Sequence, residues 1–212
     1  MHHSITNLVS IQNTLKTHKT NIIAVSKTFP VSEILPLVNR QHLHFGENKV
    51  QEAFEKWPKI KQDYKDIKLH MIGRLQTNKV KFAIPLFDYI HSLDSLKLAK
   101  KIYEEQNKIK KSLKIFIQVN IGNEDQKSGI NEEYLEEFYN KCISEFNLDI
   151  VGLMCLPPNN SDSSDYFLKM KDLAKKHNLK ELSMGMSNDY LEAVKHGATF
   201  VRVGSAIFGN RS

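Results

Sequence analysis

Ile22-Ile-Ala-Val25 is the first of eight short apolar runs that alternate along the chain with longer amphipathic segments. Runs of this length, several of them rich in β-branched residues, are typical of buried parallel strands. The other seven are His42–Phe45, Ile67–Ile72, Tyr89–His91, Leu113–Ile121, Ile150–Met154, Glu181–Met184 and Thr199–Val203.

The segments between these runs have apolar residues at helical spacing. An N-terminal helix with Ile5, Leu8, Val9 and Leu15 is expected before the first strand. Three further predicted faces are Val50, Ala53, Phe54 and Trp57; Leu96, Ala99, Ile102 and Tyr103; and Tyr134, Leu135, Phe138 and Cys142.

Strand and helix alternating eight times predict an α/β fold, a single (β/α)8 TIM barrel with an extra N-terminal helix. No linker or repeat interrupts the 212 residues, so we expect one domain over 1–212. An open, doubly wound sheet is the alternative. The Gly-x-Gly-x-x-Gly pattern that a dinucleotide-binding sheet of that type carries after its first strand is missing here.

Composition narrows the functional classes. The net charge is +6, but 26 of the 30 basic residues are lysines interleaved with acidic residues, which indicates a solvated surface and no nucleic-acid partner. The apolar runs are too short to cross a membrane, and no secretory signal is visible at the start, so a cytoplasmic protein is expected. Cys142 and Cys155 are predicted to be buried, reduced thiols.

Functional residues of a barrel lie where its strands end. Lys27 follows the first strand, where it is either a solvated lysine or an amine for imine formation. Arg202 lies within the last strand, and a guanidinium pointing inward there needs acceptors. We expect Lys27 to lie opposite the corner formed by the ends of the last two strands, across the mouth of the barrel.

That corner has the composition of a phosphate site. Ser187-Asn188 is expected to open one helix, and Gly204-Ser205 begins a short final segment. Backbone N–H groups after strands seven and eight commonly hold phosphate in this fold. A reactive amine, a phosphate corner and a neighbouring arginine together suit pyridoxal 5′-phosphate (PLP).

The sequence resembles the pyridoxal phosphate homeostasis proteins of the YggS/PROSC type, relatives of the barrel domain of alanine racemases. The resemblance is carried in order by seven blocks: Ala24-Val-Ser-Lys27; Phe45-Gly-Glu-Asn48; His70-Met-Ile-Gly73 with Leu75-Gln-Thr-Asn-Lys79; Gln118-Val-Asn with Lys127-Ser-Gly129; Gly152-Leu-Met; Ser183-Met-Gly-Met-Ser187; and Val201-Arg-Val-Gly-Ser-Ala-Ile-Phe-Gly209.

The resemblance implies a role for each matching residue. Lys27 matches the lysine that forms an aldimine with the cofactor, and Arg202 matches the partner of the pyridine nitrogen. Asn48 matches a polar residue near the ring, and Lys127 matches a lysine implicated in cofactor handling, which we leave out of the binding set. The phosphate contacts match Ser187, Gly204 and Ser205.

The expected function is therefore a PLP-binding protein that buffers or delivers the cofactor, with PLP-dependent apo-enzymes as possible recipients and no efficient catalysis of its own. The related racemases take an opposing base from a second domain, for which 212 residues leave no room. The alternatives are a single-domain, racemase-like enzyme and a cofactor-free barrel enzyme for a phosphorylated substrate. We expect a monomer with no catalytic residues and no metal, and packing or indirect roles for His44, His70 and His91.

Overall fold

The computed structural model describes residues 2–124, 126–158 and 162–209, and its eight strands close into a parallel barrel in the order of the chain. The last strand pairs with the first, with Ile23 opposite Arg202. This confirms the predicted barrel. The strands, β1 to β8, are Asn21–Val25, His44–Glu47, Lys68–Met71, Tyr89–Leu93, Lys114–Val119, Ile150–Cys155, Glu181–Met186 and Phe200–Val203.

Helices follow the strands and cover the outside of the barrel, and an additional helix precedes β1 as predicted. None of the helices in the described ranges is long and apolar enough to cross a bilayer. A short 3-10 turn, Thr77–Lys79, precedes the fourth helix. The helices, α1 to α9, are His3–Thr14, Val31–Asn39, Val50–Asp63, Val80–Leu86, Leu96–Ile109, Glu132–Ser144, Ser164–Lys176, Tyr190–Lys195 and Ser205–Phe208.

Two separate apolar clusters hold the barrel together. The larger packs the helices against the outer face of the sheet. The smaller fills the interior and consists of Ile23, Tyr89, Phe116, Met154 and Phe200. Burying such side chains supplies the main driving force for closing the barrel.

The buried stripes of the helices are narrower than the sequence predicts. Val50, Ala53 and Trp57 are buried, but Phe54 is 52% exposed. Tyr103 and Tyr134, at the edges of two other predicted faces, are also exposed.

Two glycines permit close approaches between neighbouring strands or between the segments that follow them. A Cβ on Gly152 would lie 2.0 Å from the carbonyl oxygen of Glu181, so only glycine lets β6 and β7 meet there. A Cβ on Gly73 would lie 2.4 Å from the carbonyl oxygen of Asn48. Gly73 therefore lets the segment after β3 pack against the one that carries Asn48.

The two cysteines are buried and form no disulfide, as predicted. Burial raises the pKa of both thiols to about 12, so neither is a thiolate at neutral pH.

Candidate functional site

A cleft of about 1330 Å³ occupies the mouth of the barrel at the carboxyl ends of the strands. Every residue that the sequence analysis assigned to the site lines this one cleft: Lys27, Asn48, Ser187, Arg202, Gly204 and Ser205. The cleft brings together residues separated by as many as 178 positions in the sequence, because the carboxyl ends of the strands meet at one mouth.

Lys27 lies in a turn two residues beyond β1, and this turn is strained. The next residue, Thr28, has a φ of 67°, a left-handed conformation that β-branched residues rarely adopt. Its backbone N–H donates to Glu52 Oε1 at 2.5 Å. Lys56 Nζ donates to the carbonyl oxygens of Ser26 and Phe29 at 2.9 and 3.3 Å. Helix α3 therefore holds the turn on both sides of Lys27.

A buried carboxylate beneath this turn completes the anchor. Glu47 Oε1 lies 2.6 Å from Lys56 Nζ and accepts hydrogen bonds from Ser26 Oγ and Trp57 Nε1 at 2.8 and 3.0 Å. Burial raises the pKa of Glu47, and the ammonium of Lys56 opposes that shift. This cluster is not predicted from the sequence, because Lys56 is one of many lysines interleaved with acidic residues, a pattern that indicates a solvated surface.

Arg202 points into the barrel and is only 4% exposed. Its Nη1 donates to the carbonyl oxygen and to the hydroxyl of Ser183 at 2.6 and 2.8 Å, and its Nη2 donates to the carbonyl oxygen of Cys155 at 2.8 Å. These contacts supply the acceptors that an inward guanidinium requires. Burial lowers the pKa of Arg202, but a guanidinium keeps its proton in proteins.

The corner after β7 and β8 gathers backbone donors around one hydroxyl. The N–H groups of Gly204 and Ala206 both donate to Ser187 Oγ at 3.3 Å. Such long bonds to a neutral oxygen are weaker than those a charged phosphate oxygen would form with the same N–H groups.

One sequence expectation about this corner is wrong. Ser187-Asn188 forms a turn and opens no helix, since α8 begins at Tyr190 after the N-cap residue Asp189. Asp189 Oδ1 accepts from the N–H of Met186, which stabilises the turn. The segment that follows Gly204 is short, as predicted, and forms a single helical turn.

Lys27 lies beside the phosphate corner and not across the mouth from it. Strand β1 pairs with β8 in the closed barrel, with Ala24 opposite Val203. The expectation failed because strand closure makes the first and last strands neighbours.

A chain of hydrogen bonds runs below the cleft through the barrel interior. His44 Nδ1 lies 3.0 Å from His70 Nε2, His70 Nδ1 lies 2.9 Å from His91 Nε2, and His91 Nδ1 lies 2.8 Å from Ser183 Oγ. Burial lowers the pKa of all three histidines, that of His44 to about 4. The neighbouring cation of Lys68 contributes at His44, and the cation of Arg202 contributes at His91.

Lys127 also lines the cleft, from the loop after β5. Its Nζ donates to the carbonyl oxygen of Pro157 at 3.1 Å and forms an ion pair with Glu124. These contacts tie the loop after β5 to the segment after β6.

One group of potential metal ligands occurs among the described residues: His2, His3 and Glu33. The Nε2 atoms of the two histidines lie 3.6 and 3.7 Å from Glu33 Oε2. None of the three lines the cleft. The absence of a metal remains a prediction.

Comparisons with known proteins give consistent results. The family model described as the alanine racemase N-terminal domain matches residues 3–212. A pyridoxal phosphate homeostasis protein of Aquifex aeolicus is 38% identical over 90% of this chain and 86% of its own length. One of Haemophilus influenzae is 36% identical over 95% of this chain and 87% of its own length.

Solved structures share the fold. The PLP-bound structure of PipY from Synechococcus elongatus superposes with a TM-score of 0.87 at 32% identity, covering 97% of this chain and all of PipY. An alanine racemase of Clostridium difficile shares the fold at a TM-score of 0.75 and 17% identity. It aligns with 99% of this chain but with only 57% of its own.

Proposed function

Because this chain belongs to the pyridoxal phosphate homeostasis proteins within the alanine racemase N-terminal domain family, we propose that it binds PLP in the cleft and serves the homeostasis of that cofactor. The observation that carries the proposal is the convergence of an amine, an inward guanidinium and a backbone-donor corner on one cleft. The PLP-bound structure of PipY, which has the same fold, supports PLP as the ligand.

The residues of the cleft fit the chemistry of PLP. The aldehyde and phosphate arms of the cofactor are carried by neighbouring ring carbons, and Lys27 lies beside the phosphate corner because β1 pairs with β8. PLP supplies an aldehyde that condenses with amines. Lys27 offers the amine, and the N–H groups of Gly204 and Ala206 with the Ser187 and Ser205 hydroxyls would hold the phosphate.

Arg202 would face the ring nitrogen, with Asn48 near the ring edge. A guanidinium has five N–H donors and no acceptor, so it donates to the ring nitrogen and leaves it unprotonated. An unprotonated ring withdraws electrons less strongly from a bound amino acid. This favours a binding and delivery role over efficient amino-acid chemistry.

The racemase-like alternative requires an acid and a base on both faces of the substrate. Tyr190 lines the cleft and keeps this alternative open to test. Our proposal is the non-catalytic one, in a cytoplasmic monomer that exchanges PLP with apo-enzymes.

The test is a titration of the purified chain with PLP, followed by transfer to a PLP-dependent apo-enzyme in the presence of a phosphatase that destroys free PLP. We expect saturable binding of one PLP per chain and reactivation of the apo-enzyme under these conditions. Absence of binding would refute the proposed site. Binding without protected transfer would restrict the protein to storage.

A further inference from the structure

The side chain of Arg202 is the upper end of a continuous series of hydrogen bonds that crosses the barrel. The series runs from Arg202 through Ser183, His91 and His70 to His44, the first residue of β2. Ser183, His70 and His91 are fully buried. Water therefore does not compete for these contacts, and each polar atom depends on its neighbour in the series.

Aromatic packing fixes the two central rings. His91 stacks on Phe116 with ring centroids 4.3 Å apart, and His70 stacks on Tyr89 at 4.2 Å. Phe200 meets His91 edge-on. The rings cannot turn without disrupting the inner apolar cluster, so the hydrogen-bond geometry is preset.

The available hydrogen-bond donors and acceptors determine which atom donates at each step of the series. Arg202 can only donate, so Ser183 Oγ accepts from it and has its own hydroxyl hydrogen left to give. Among the described residues, the remaining partner recorded for Ser183 Oγ is His91 Nδ1. If His91 instead donated from Nδ1, the Ser183 hydroxyl hydrogen would be buried without an acceptor, which is costly.

The direction then propagates along the series. Because His91 Nδ1 accepts a hydrogen bond from the Ser183 hydroxyl, the neutral ring carries its proton on Nε2, which donates to His70 Nδ1. His70 in turn carries its proton on Nε2 and donates to His44 Nδ1. Every link is satisfied with all three histidines neutral, and Arg202 remains the cation of the series.

We propose that Ser183 and His91 are positioning residues of the cofactor site. Through hydrogen bonds of one fixed direction they hold the Arg202 guanidinium in the orientation that donates to the ring nitrogen of PLP. This inference rests on the proposed function. Ser183 is the key link because it contacts Arg202 through both its carbonyl and its hydroxyl.

The chain offers a matched control for the Ser183 hydroxyl. Ser92 is also a buried strand serine, and its Oγ has no hydrogen-bond partner in the described structure. Ser183→Ala and Ser92→Ala therefore remove the same atoms from similar surroundings, but only the first breaks the series. Ser183→Thr restores a hydroxyl and serves as the rescue.

The binding test compares PLP with 1-deaza-PLP, in which C–H replaces the ring nitrogen. We expect the wild type and Ser92→Ala to bind PLP at least about tenfold more tightly than the analogue, as befits one charged hydrogen bond. In Ser183→Ala the preference should fall below about threefold, and Ser183→Thr should recover it. A preference retained by Ser183→Ala, or missing from the wild type, would overturn the inference.

A second readout needs no ligand. Imidazole nitrogen NMR of the folded protein should show His91 and His70 protonated on Nε2, with the Nε2 preference of His91 lost in Ser183→Ala and kept in Ser92→Ala. Protonation of His91 on Nδ1 in the wild type would contradict the proposed direction. Failure of the proposed function looks different, since the wild type would then bind neither PLP nor the analogue.

Discussion

Ser183 and Arg202 lie on adjacent strands with the serine hydroxyl 2.8 Å from the guanidinium Nη1, so a buried cation at the floor of the cleft is held by its neighbouring strand. The carbonyl of Cys155 holds the other Nη atom from β6. Three strands thus fix one guanidinium at the floor of the site. Rigid support of this kind keeps a binding group in place before the ligand arrives.

The turn that carries Lys27 should depend on Lys56. We expect Lys56→Gln to lower the free energy of unfolding by about 3–5 kcal/mol, because Glu47 stays buried without its cation. PLP affinity should fall as well, since the carbonyls of Ser26 and Phe29 lose their donor. Urea unfolding and a PLP titration of the folded variant measure the two effects.

Lys61→Gln is the control for Lys56→Gln. Lys61 lies on the same helix and donates to Leu86 and Asp88, away from the cleft. Lys61→Gln should lower the free energy of unfolding and leave the affinity for PLP within about twofold of that of the wild type. Equal effects of the two variants on PLP affinity would contradict the anchoring role of Lys56.

Gly204 should discriminate between PLP and pyridoxal. A Cβ there would meet Val25 at 3.4 Å, an ordinary contact, so Gly204→Ala should bind both ligands nearly as the wild type does. Gly204→Phe extends into the phosphate corner and should weaken PLP at least about tenfold more than pyridoxal, since hydrogen bonds to charged acceptors are each worth about 1.5–3 kcal/mol. Equal losses for both ligands, measured by calorimetry, would count against this corner.

The pKa shifts of two partly buried histidines predict a pH-dependent stability. Folding lowers the pKa of His42 and His44 to about 4 from an ordinary 6.5, so between these values the unfolded chain binds more protons than the folded one. The free energy of unfolding should therefore not depend on these histidines above pH 6.5. Below pH 6.5 it should fall as the pH falls, by up to about 1.4 kcal/mol per pH unit for each histidine.

Urea unfolding between pH 7.5 and 5 measures this slope, above the range in which most carboxylates titrate. His44→Gln removes one of the shifted groups and should give a shallower slope than the wild type. Identical slopes for the two proteins would show that His44 is not shifted by folding.

Amino-acid turnover separates the binding role from the racemase-like one. Cofactor-loaded protein incubated with alanine and a panel of other L-amino acids should leave their chirality unchanged, because racemisation needs an acid and a base on opposite faces of the substrate and our proposal assigns no such pair to the cleft. Turnover above about 1 s⁻¹, the low end of ordinary enzymes, would favour the racemase-like enzyme over the binding role. In that case Tyr190→Phe would test the first candidate acid or base in the cleft.

The barrel and the six cleft residues could be predicted because a strand end is readable from the sequence. Gly204 directly follows an apolar run and Lys27 lies two residues after another, and the fold places such positions at one mouth of the barrel. The contact between Ser183 and Arg202 could not be predicted, since the pairing of β7 with β8 shifts register between Ser183 and Met186. No local pattern encodes that shift.

The role of Lys56 was hidden for a related reason. On a helix with many lysines its sequence context matches a solvated side chain, and only the packing of α3 against the Lys27 turn gives it buried acceptors. The three interior histidines carried a readable signal, since His44, His70 and His91 fall on three successive strands. Their connection through Ser183 still required the closed barrel.

The central claim is that Lys27 receives the cofactor in this cleft. The most direct measurement is borohydride reduction of the PLP-loaded protein, followed by peptide mapping of the fixed label in the wild type, Lys27→Ala and Lys127→Ala, which removes another lysine of the cleft. The account predicts label on Lys27 in the wild type and in Lys127→Ala, and none in Lys27→Ala. Label on a different lysine, in the wild type and Lys27→Ala alike, would contradict it.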